Sequence, residues 1–413
     1  MQNQSNIFKQ LRRYFFGHDS AEHWFYLLIW CSGLVALIRS VVIRLTGSIG
    51  LSYVVYYGIF LFSIGCAYKR YISPKLKGSD VVFVLIALLL FLLSYALFPE
   101  NQVVLNEWFF AFSVGALPMF FVGICLNIEK YKRPFFFASI LCLVWLTFYN
   151  LYYLSNMGEA TDVDTSKYRM DFAYSLLPYL LFISWETLSD FKIWKIPFLV
   201  LAFFLLIMLG TRGPLIFAIL FIVLYTLFFT GKFSFVKLLV VSTGVLVYVY
   251  LFDLLSFLYE ETETLGMSTR IMAQMLGYEE MYNSRDGITD LFFNYMNSSN
   301  YNPLMGAGIG GAYSRLNIIY PHNLYVDMIF TFGYFFGNLF FVGLVVLIVL
   351  AFSKAKTTIE RQYLLLMFVL GFAALFLSDT FVKQPWFYML IGICVGCIRR
   401  SSSISRNHSL SRV

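Results

Sequence analysis

Residues 81–98 read VVFVLIALLLFLLSYALF, eighteen residues in succession without a charged side chain. A helix needs about 20 apolar residues to cross roughly 30 Å of hydrocarbon, so this run predicts a membrane-spanning helix. The whole chain of 413 residues agrees, because 60% of it is hydrophobic, 20% aromatic and only 13% charged. Soluble domains carry about 25% charged residues, which excludes an ordinary soluble protein. We therefore predict an all-α integral membrane protein.

Apolar runs of the same kind predict twelve spans, with both chain ends on one side of the lipid bilayer. The runs lie near 24–44, 49–68, 80–98, 107–126, 134–154, 171–187, 196–209, 214–230, 236–255, 324–352, 362–378 and 385–398. They divide the chain into a cytoplasmic N-terminal segment (1–22), nine membrane helices (23–255), one large extracytoplasmic loop containing short helices (256–322), three membrane helices (323–398) and a basic cytoplasmic tail (399–413).

The distribution of basic residues predicts the orientation. Of the 30 lysines and arginines, 21 fall on the side of the chain ends, and this side is expected to be cytoplasmic. The net charge of +7 therefore reflects topology, and no basic patch with interleaved aromatics indicates nucleic-acid binding. Nine basic residues remain on the outer side or in the outer ends of spans, which indicates that an anionic group is handled there. They are Arg39, Arg44, Lys167, Arg169, Arg212, Arg270, Arg285, Arg315 and Lys383.

The segment Thr211-Arg212-Gly213 separates two apolar runs too closely for a loop. Arg212 is thus expected at membrane depth or just above it, where a charge is costly without a partner. A functional role is the default interpretation of such a charge. The alternative is an arginine that extends to the lipid headgroups.

The C-terminal part of the large outer loop contains two candidate functional features. Arg285 opens a helical stretch that leads to the glycine-rich run 303–311, PLMGAGIGG. Its alternate glycines allow close backbone approach, either to present N–H groups to an oxyanion or to pack a tight loop on the membrane helices. Then His322-Asn323 precedes a span in which Gly333 and Gly337 have the spacing of a close helix contact. His322 is either a proton acceptor near neutral pH or a capping, hydrogen-bonded histidine.

Two short motifs suggest metal or redox chemistry, and both have a simpler explanation. Asp162-Val163-Asp164 has the DxD form of metal-dependent glycosyltransferases, but it lies in an acidic, hydroxyl-rich outer loop that favours a solvated segment. Cys394 and Cys397 form a CxxC near the inner end of the last span, where cysteines behave as small apolar residues. We therefore predict no metal and no cofactor.

Taken in order, Thr211-Arg212-Gly213, then Arg285, the 303–311 run, and His322-Asn323 followed by Gly333 resemble the signature of the O-antigen polymerase and O-antigen ligase superfamily. Thr211 stands where a serine is commoner in that family. The resemblance rests on these stretches alone, since the other spans match only in number and hydropathy.

The resemblance implies a metal-independent, inverting glycosyltransferase that acts on undecaprenyl-diphosphate-linked oligosaccharides at the outer face of a bacterial inner membrane. Arg212 and Arg285, with Arg315 as a third candidate, would bind the departing diphosphate, because guanidinium groups make bidentate bonds to phosphate. His322 would be the general base, supported by Asn323 and Gly333. The resemblance also implies a chain-length regulator as a partner.

Three functions remain open at this point. A polymerase, which we favour, transfers the glycan chain to another lipid-linked repeat, whereas a ligase transfers it to lipid A core. A repeat-unit flippase is the alternative from another class. Transporters place their binding site near the bilayer midplane, and the predicted spans are almost free of ionisable residues at mid-depth, which favours surface chemistry.

Overall fold

The computed structural model describes residues 76–156, 170–209, 212–229 and 284–410, with a few isolated positions before residue 76. These residues are mainly helical and include no strand. The chain divides into two units. The first unit comprises Met1–Ile29, Val35–Tyr131 and Asn283–Val413, and the second comprises Trp30–Leu34 and Lys132–Tyr282. The α-helices in chain order are α1 (Gly78–Leu97), α2 (Gln102–Ala111), α3 (Leu117–Cys125), α4 (Ile128–Asn156), α5 (Met170–Ser189), α6 (Ile196–Met208), α7 (Arg212–Phe229), α8 (Ser284–Met296), α9 (Gly311–Leu316), α10 (Leu324–Lys354), α11 (Thr358–Gly371) and α12 (Pro385–Leu410).

The length and apolarity of the helices indicate that the chain is a membrane protein. Five helical segments of the described residues suffice to cross a bilayer: Gly78–Leu97, Pro99–Cys125, Ile128–Tyr149, Leu324–Lys354 and Thr358–Phe376. Ile193–Ile207 and Gly213–Phe229 are shorter apolar helices. The predicted spans near 24–44, 49–68 and 236–255 lie largely or wholly outside the described residues. The count of twelve spans therefore stays a prediction.

In the first unit, ion pairs join the ends of α1, α11 and α12, where the basic residues Arg399 and Arg400 meet acidic side chains. Asp80 accepts the backbone N–H of Lys77 at 2.8 Å, which fixes the start of α1, and it also pairs with the guanidinium of Arg399 on α12. Arg400 pairs with Glu360 on α11 at 3.0 Å. We call this region, defined by Asp80, Glu360, Arg399 and Arg400, the charged end.

Helix α1 packs antiparallel to α2 and α3, and these helices connect the charged end to the opposite end of the unit. The ring of Phe83 stacks on that of Phe120 at 4.3 Å, whereas Phe91 packs against Phe109 and Phe112. Helix α1 therefore runs away from the charged end, and α2 and α3 return to it. The turn between them carries Phe98 and Asn101, and it meets the glycine-rich run. We call this region the loop end.

Helix α10 is folded back on itself at Gly333, which has φ +80° and ψ 167°. The rings of Tyr325 and Phe341 lie 5.2 Å apart, and the Tyr325 hydroxyl donates to the Asn338 side chain at 3.0 Å. In a straight helix, residues 325 and 341 would be about 24 Å apart. Two antiparallel halves result, α10a (324–332) and α10b (334–354). The run predicted as one span near 324–352 is thus a helix hairpin.

The second unit contains a buried ionic cluster where α5 turns into α6. The ammonium of Lys195, 2% exposed, lies 3.2 Å from Glu186 Oε1 and 3.3 Å from Asp190 Oδ2. It also donates to the carbonyl oxygens of Glu186 and Asp190, at 3.1 and 2.8 Å. Lys132 on α4 pairs with the second oxygen of Glu186 at 3.0 Å. The carboxylate of Glu186 thus joins two lysines and ties α4 to the α5–α6 turn.

Candidate functional site

The glycine-rich run clamps the hinge of α10 at the loop end. The N–H groups of Ala307 and Gly308 donate to the carbonyls of Phe330 and Thr331 at 2.8 and 3.0 Å, and the carbonyl of Pro303 accepts the N–H of Tyr334 at 2.7 Å. These are backbone groups that an unbroken helix would have bonded internally. The loop therefore satisfies the polar groups that the break at Gly333 leaves open.

The glycines of this loop are required by close contact and by backbone conformation. Gly306 and Gly333 both have positive φ, and a Cβ on either would collide with backbone atoms of the facing segment. Gly308 also has positive φ, and a Cβ there would collide with the ring of Phe98. Glycine is the residue that adopts such angles without strain.

Most of the loop N–H groups are engaged within the protein. Those of Leu304 and Met305 donate to the Asn302 side chain, that of Gly306 to the Asn302 carbonyl, and that of Ile309 to the Ser94 hydroxyl. Donors that already have acceptors are not available to cradle an oxyanion. Of the two interpretations of the run, the structure favours the tight loop packed on the membrane helices.

Asn101 fastens the loop to the turn after α1, and sequence reasoning missed it. Its side chain, 1% exposed, donates to the carbonyls of Ala307 and Ile309 at 2.9 and 3.1 Å, and it accepts the hydroxyl of Ser314. The available signal was an amide in the short polar interruption Pro99-Glu100-Asn101-Gln102 between two apolar runs.

We expect Asn101→Ala to loosen the loop without unfolding the helices. The change removes three bonds and leaves the buried carbonyls of Ala307 and Ile309 without these donors, a cost of about 1–3 kcal/mol. Backbone amides of residues 304–311 should exchange hydrogen faster, measured by mass spectrometry of the purified protein. Asn300→Ala, at an exposed position just before the glycine-rich run, is the control and should leave exchange unchanged. Equal exchange in the Asn101→Ala variant and the wild type would contradict this role.

Arg315, a candidate diphosphate ligand, is paired within the protein. It lies in the last turn of α9, and its guanidinium forms an ion pair with Glu100, with both side chains 37% exposed. The pair links the glycine-rich element to the turn after α1. A diphosphate would have to compete with this carboxylate, so Arg315 is the weaker of the arginine candidates.

His322 and Asn323 form the turn that enters α10a. Asn323 is the N-cap, since its side chain accepts the N–H groups of Tyr325 and Val326 at 3.0 and 3.3 Å. His322 therefore is not the capping residue. It is half-buried, its backbone is left-handed with φ +55°, and its ring meets that of Tyr320 edge-on at 4.5 Å. Left-handed backbone is uncommon outside glycine and is frequent at functional sites.

The hairpin of α10 also determines where His322 lies. Because α10a runs back beside α10b, the turn at residues 322–323 is level with the region of Asn338 and Phe341, about 10 Å along α10b from the hinge. The sequence suggested that this turn stands at the end of a span. The structure instead brings it alongside α10b, about a third of the way from the hinge to Lys354.

Arg285 and Arg212 begin helices. Arg285 is the second residue of α8, whose Phe292 and Met296 pack with Phe330 of α10a in one buried cluster. Arg212 is the first residue of α7 in the second unit, and a Cβ on the adjacent Gly213 would collide with the hydroxyl of Tyr174. The side chains of both arginines lie outside the described part of the structure, as do Thr211, Asp162 and Asp164.

A polar cluster, formed by Asp327, Asp379, Thr380, Lys383 and Gln384, lies where α10a meets the α11–α12 connection. Asp327, 4% exposed, accepts the Thr380 hydroxyl at 2.7 Å and the backbone N–H of Phe381. Asp379 has φ +60° and accepts the Gln384 amide at 3.2 Å, with the Lys383 ammonium 3.9 Å away. Asp327 is not among the site residues predicted from the sequence, because a single acid inside an apolar run has no partner nearby in the sequence.

Asp327 differs from the other buried charged side chains of the described ranges. Asp80, Glu186 and Lys195 each have a partner of opposite charge, whereas Asp327 is held by a hydroxyl and a backbone amide. An ionisable residue buried in a membrane protein is by default a functional candidate. Asp327 also anchors α10a, and with it the turn at His322, to the α11–α12 connection.

Tyr301 completes the packing of the loop end. Its hydroxyl donates to the carbonyl of Ile329, and burial raises the pKa of this phenol well above its ordinary value. Tyr301 thus acts as a neutral donor that holds the end of α10a.

Models of protein families, curated proteins and solved structures were compared with this chain, and none matches it. A functional assignment therefore rests on the site residues themselves. Within the described ranges, no group of three or more His, Cys, Asp or Glu side chains is arranged to hold a metal ion. The groups suited to chemistry are one histidine in an unusual backbone conformation, the polar cluster, and the arginines that begin α7 and α8.

Proposed function

We propose that this chain is a metal-independent, inverting membrane glycosyltransferase that polymerises the repeat units of a surface polysaccharide such as O-antigen or capsule. The donor is a glycan linked to undecaprenyl diphosphate, and the acceptor is a hydroxyl of another lipid-linked repeat. The site faces the outer side of the bacterial inner membrane. A chain-length regulator is the proposed protein partner.

The conformation of His322 is the observation that carries the proposal. A half-buried imidazole with left-handed backbone stands directly before a capped helix that is anchored by a buried acid. Strained or unusual backbone persists when the surroundings hold it in place, and such positions concentrate at active sites. Histidine is also the side chain best suited to accept a proton near neutral pH.

In the proposed reaction, the acceptor hydroxyl oxygen attacks the anomeric carbon of the donor sugar. The new glycosidic C–O bond forms as the bond from that carbon to the diphosphate oxygen breaks, with inversion at the carbon. His322 takes the hydroxyl proton. Undecaprenyl diphosphate leaves with the electron pair, and the guanidinium groups of Arg212 and Arg285 stabilise its negative charge.

The backbone bonds at the break in α10 favour an enzyme over the alternative function, a transporter. Transporters use broken helices whose freed backbone groups face a cavity and bind the substrate. Here the corresponding groups at the break, the Phe330 and Thr331 carbonyls and the Tyr334 N–H, bond to the glycine-rich loop. This break serves to build the loop end, which supports a fixed enzyme site over an alternating-access pathway.

The experiment that tests the proposal compares cells lacking this chain with cells in which the wild type is restored. We expect the deletion to give lipid A core capped by single repeats without a polymer ladder, measured on gels of surface glycan and by mass spectrometry of lipid-linked intermediates. Uncapped core with long lipid-linked chains accumulating outside would replace the proposal by a ligase. Repeat units trapped on the inner leaflet would replace it by a flippase.

A further inference from the structure

The loop end carries an exposed apolar patch, formed by Leu304, Met305, Tyr334, Phe335 and Phe336. Leu304 and Met305 are the tip of the glycine-rich loop and are 56% and 44% exposed. Phe335, at the start of α10b, is 62% exposed, and Tyr334 and Phe336 are exposed as well. The two parts adjoin, because the Pro303 carbonyl accepts the Tyr334 N–H and the Leu304 backbone packs against Gly333. Five large apolar side chains thus form one surface.

This patch is continuous with one exposed face of α10b. Phe335, Leu339, Val342, Val346 and Val349 recur at helical spacing, and all are exposed. No charged residue occurs between Tyr334 and Ser353. A face of this length without a charge or polar partner is typical of a helix in contact with lipid.

The length of α10b indicates the depth of the patch relative to the bilayer. Residues 334–354 extend about 30 Å, the thickness of the hydrocarbon core, and Lys354 is the last residue of the helix. With Lys354 at one boundary, Tyr334, Phe335 and Phe336 stand at the other. Tyrosine, which is amphipathic, is enriched at that boundary.

We propose that the tip of the glycine-rich loop inserts into the bilayer, so that Leu304 and Met305 contact phospholipid acyl chains of the leaflet at the loop end. The polar residues that precede the tip, Ser298, Ser299 and Asn300, remain in water. The loop that clamps the α10 hinge is thereby held from both sides, by protein at Asn101 and by lipid at Met305. The proposal does not depend on the reaction that the chain performs.

The test places a fluorophore on either side of this boundary. In a background with all six native cysteines replaced by alanine, Met305→Cys and the control Ser299→Cys are labelled with an environment-sensitive dye and reconstituted in phosphatidylcholine vesicles. We expect spin-labelled phosphatidylcholine to quench the dye at 305 severalfold more than at 299, and aqueous iodide to show the opposite order. Iodide quenching at 305 equal to that at 299 overturns the proposal. Weak quenching by both reagents at 305 also overturns it, because another part of the chain would then cover the tip.

A second measurement avoids the cysteine-free background. A benzophenone amino acid is incorporated at position 305, or at 299 as the control, in the otherwise native chain and irradiated in membranes. Phospholipid adducts, identified by mass spectrometry, should form at 305 and not at 299. Adducts only to protein at 305 overturn the proposal.

Discussion

Replacement of His322 by alanine should abolish polymer formation in cells, while the protein remains folded and membrane-inserted. Loss of a general base costs about 10²–10⁴ in rate, enough to remove a ladder of long chains. Since Asn323 rather than His322 caps α10a, the helix should still form. Surface glycan is compared by gel at matched protein levels, with lipid-linked single repeats expected to accumulate.

His408→Ala, in the C-terminal part of α12, is the matched control and should leave the ladder intact. Arg212→Ala and Arg285→Ala should resemble His322→Ala, and lysine at either position should restore only part of the product because it lacks the bidentate fork. A normal ladder from His322→Ala would remove the residue from the proposed mechanism. It would leave the membrane fold and the lipid-inserted loop tip untouched.

Replacement of Glu186 by leucine should strongly destabilise the second unit. The change leaves Lys195, 2% exposed, and the nearby Lys132 without the carboxylate they share. Removing one partner of a buried ion pair costs about 3–5 kcal/mol, because the remaining charge stays desolvated. Thermal unfolding in detergent and the amount of protein in membranes both report the loss.

A double variant separates lost ion pairing from lost packing. Glu186→Leu with Lys195→Leu removes both charges, and it should recover much of the stability that Glu186→Leu alone loses. Lys192→Ala is the control in the same turn, since its pair with Asp190 is about half exposed and contributes roughly 0–1 kcal/mol. If the double variant is no more stable than Glu186→Leu, the buried charge is not the cause of the loss.

The sequence by itself determined the class of the protein and the position of its membrane helices in the described part of the chain. Runs such as 81–98 and 134–154 appear in helices α1 and α4, because hydropathy acts locally and a bilayer forces each apolar run to satisfy its backbone within the helix. The sequence also selected His322, since a histidine at the entry of a span is a local signal, and the family resemblance added Asn323 as a supporting residue; that Asn323 is the N-cap is visible only in the structure. The roles of Arg212 and Arg285 remain predictions.

The tertiary structure determined which contacts the glycines and buried polar residues make. Gly333 and Gly337 have the spacing of a close helix contact, and Gly337 makes one against the backbone of Met328 and Ile329. The contact is between two halves of one helix, because Gly333 folds α10 back on itself. The glycine-rich run has the composition of an anion cradle, yet its N–H groups bond to α10 and Ser94. Asn101 meets Ala307 across 206 positions, and Thr380 meets Asp327 across 53. Such pairings follow from how distant segments pack, and a buried polar group is satisfied by whichever partner that packing supplies.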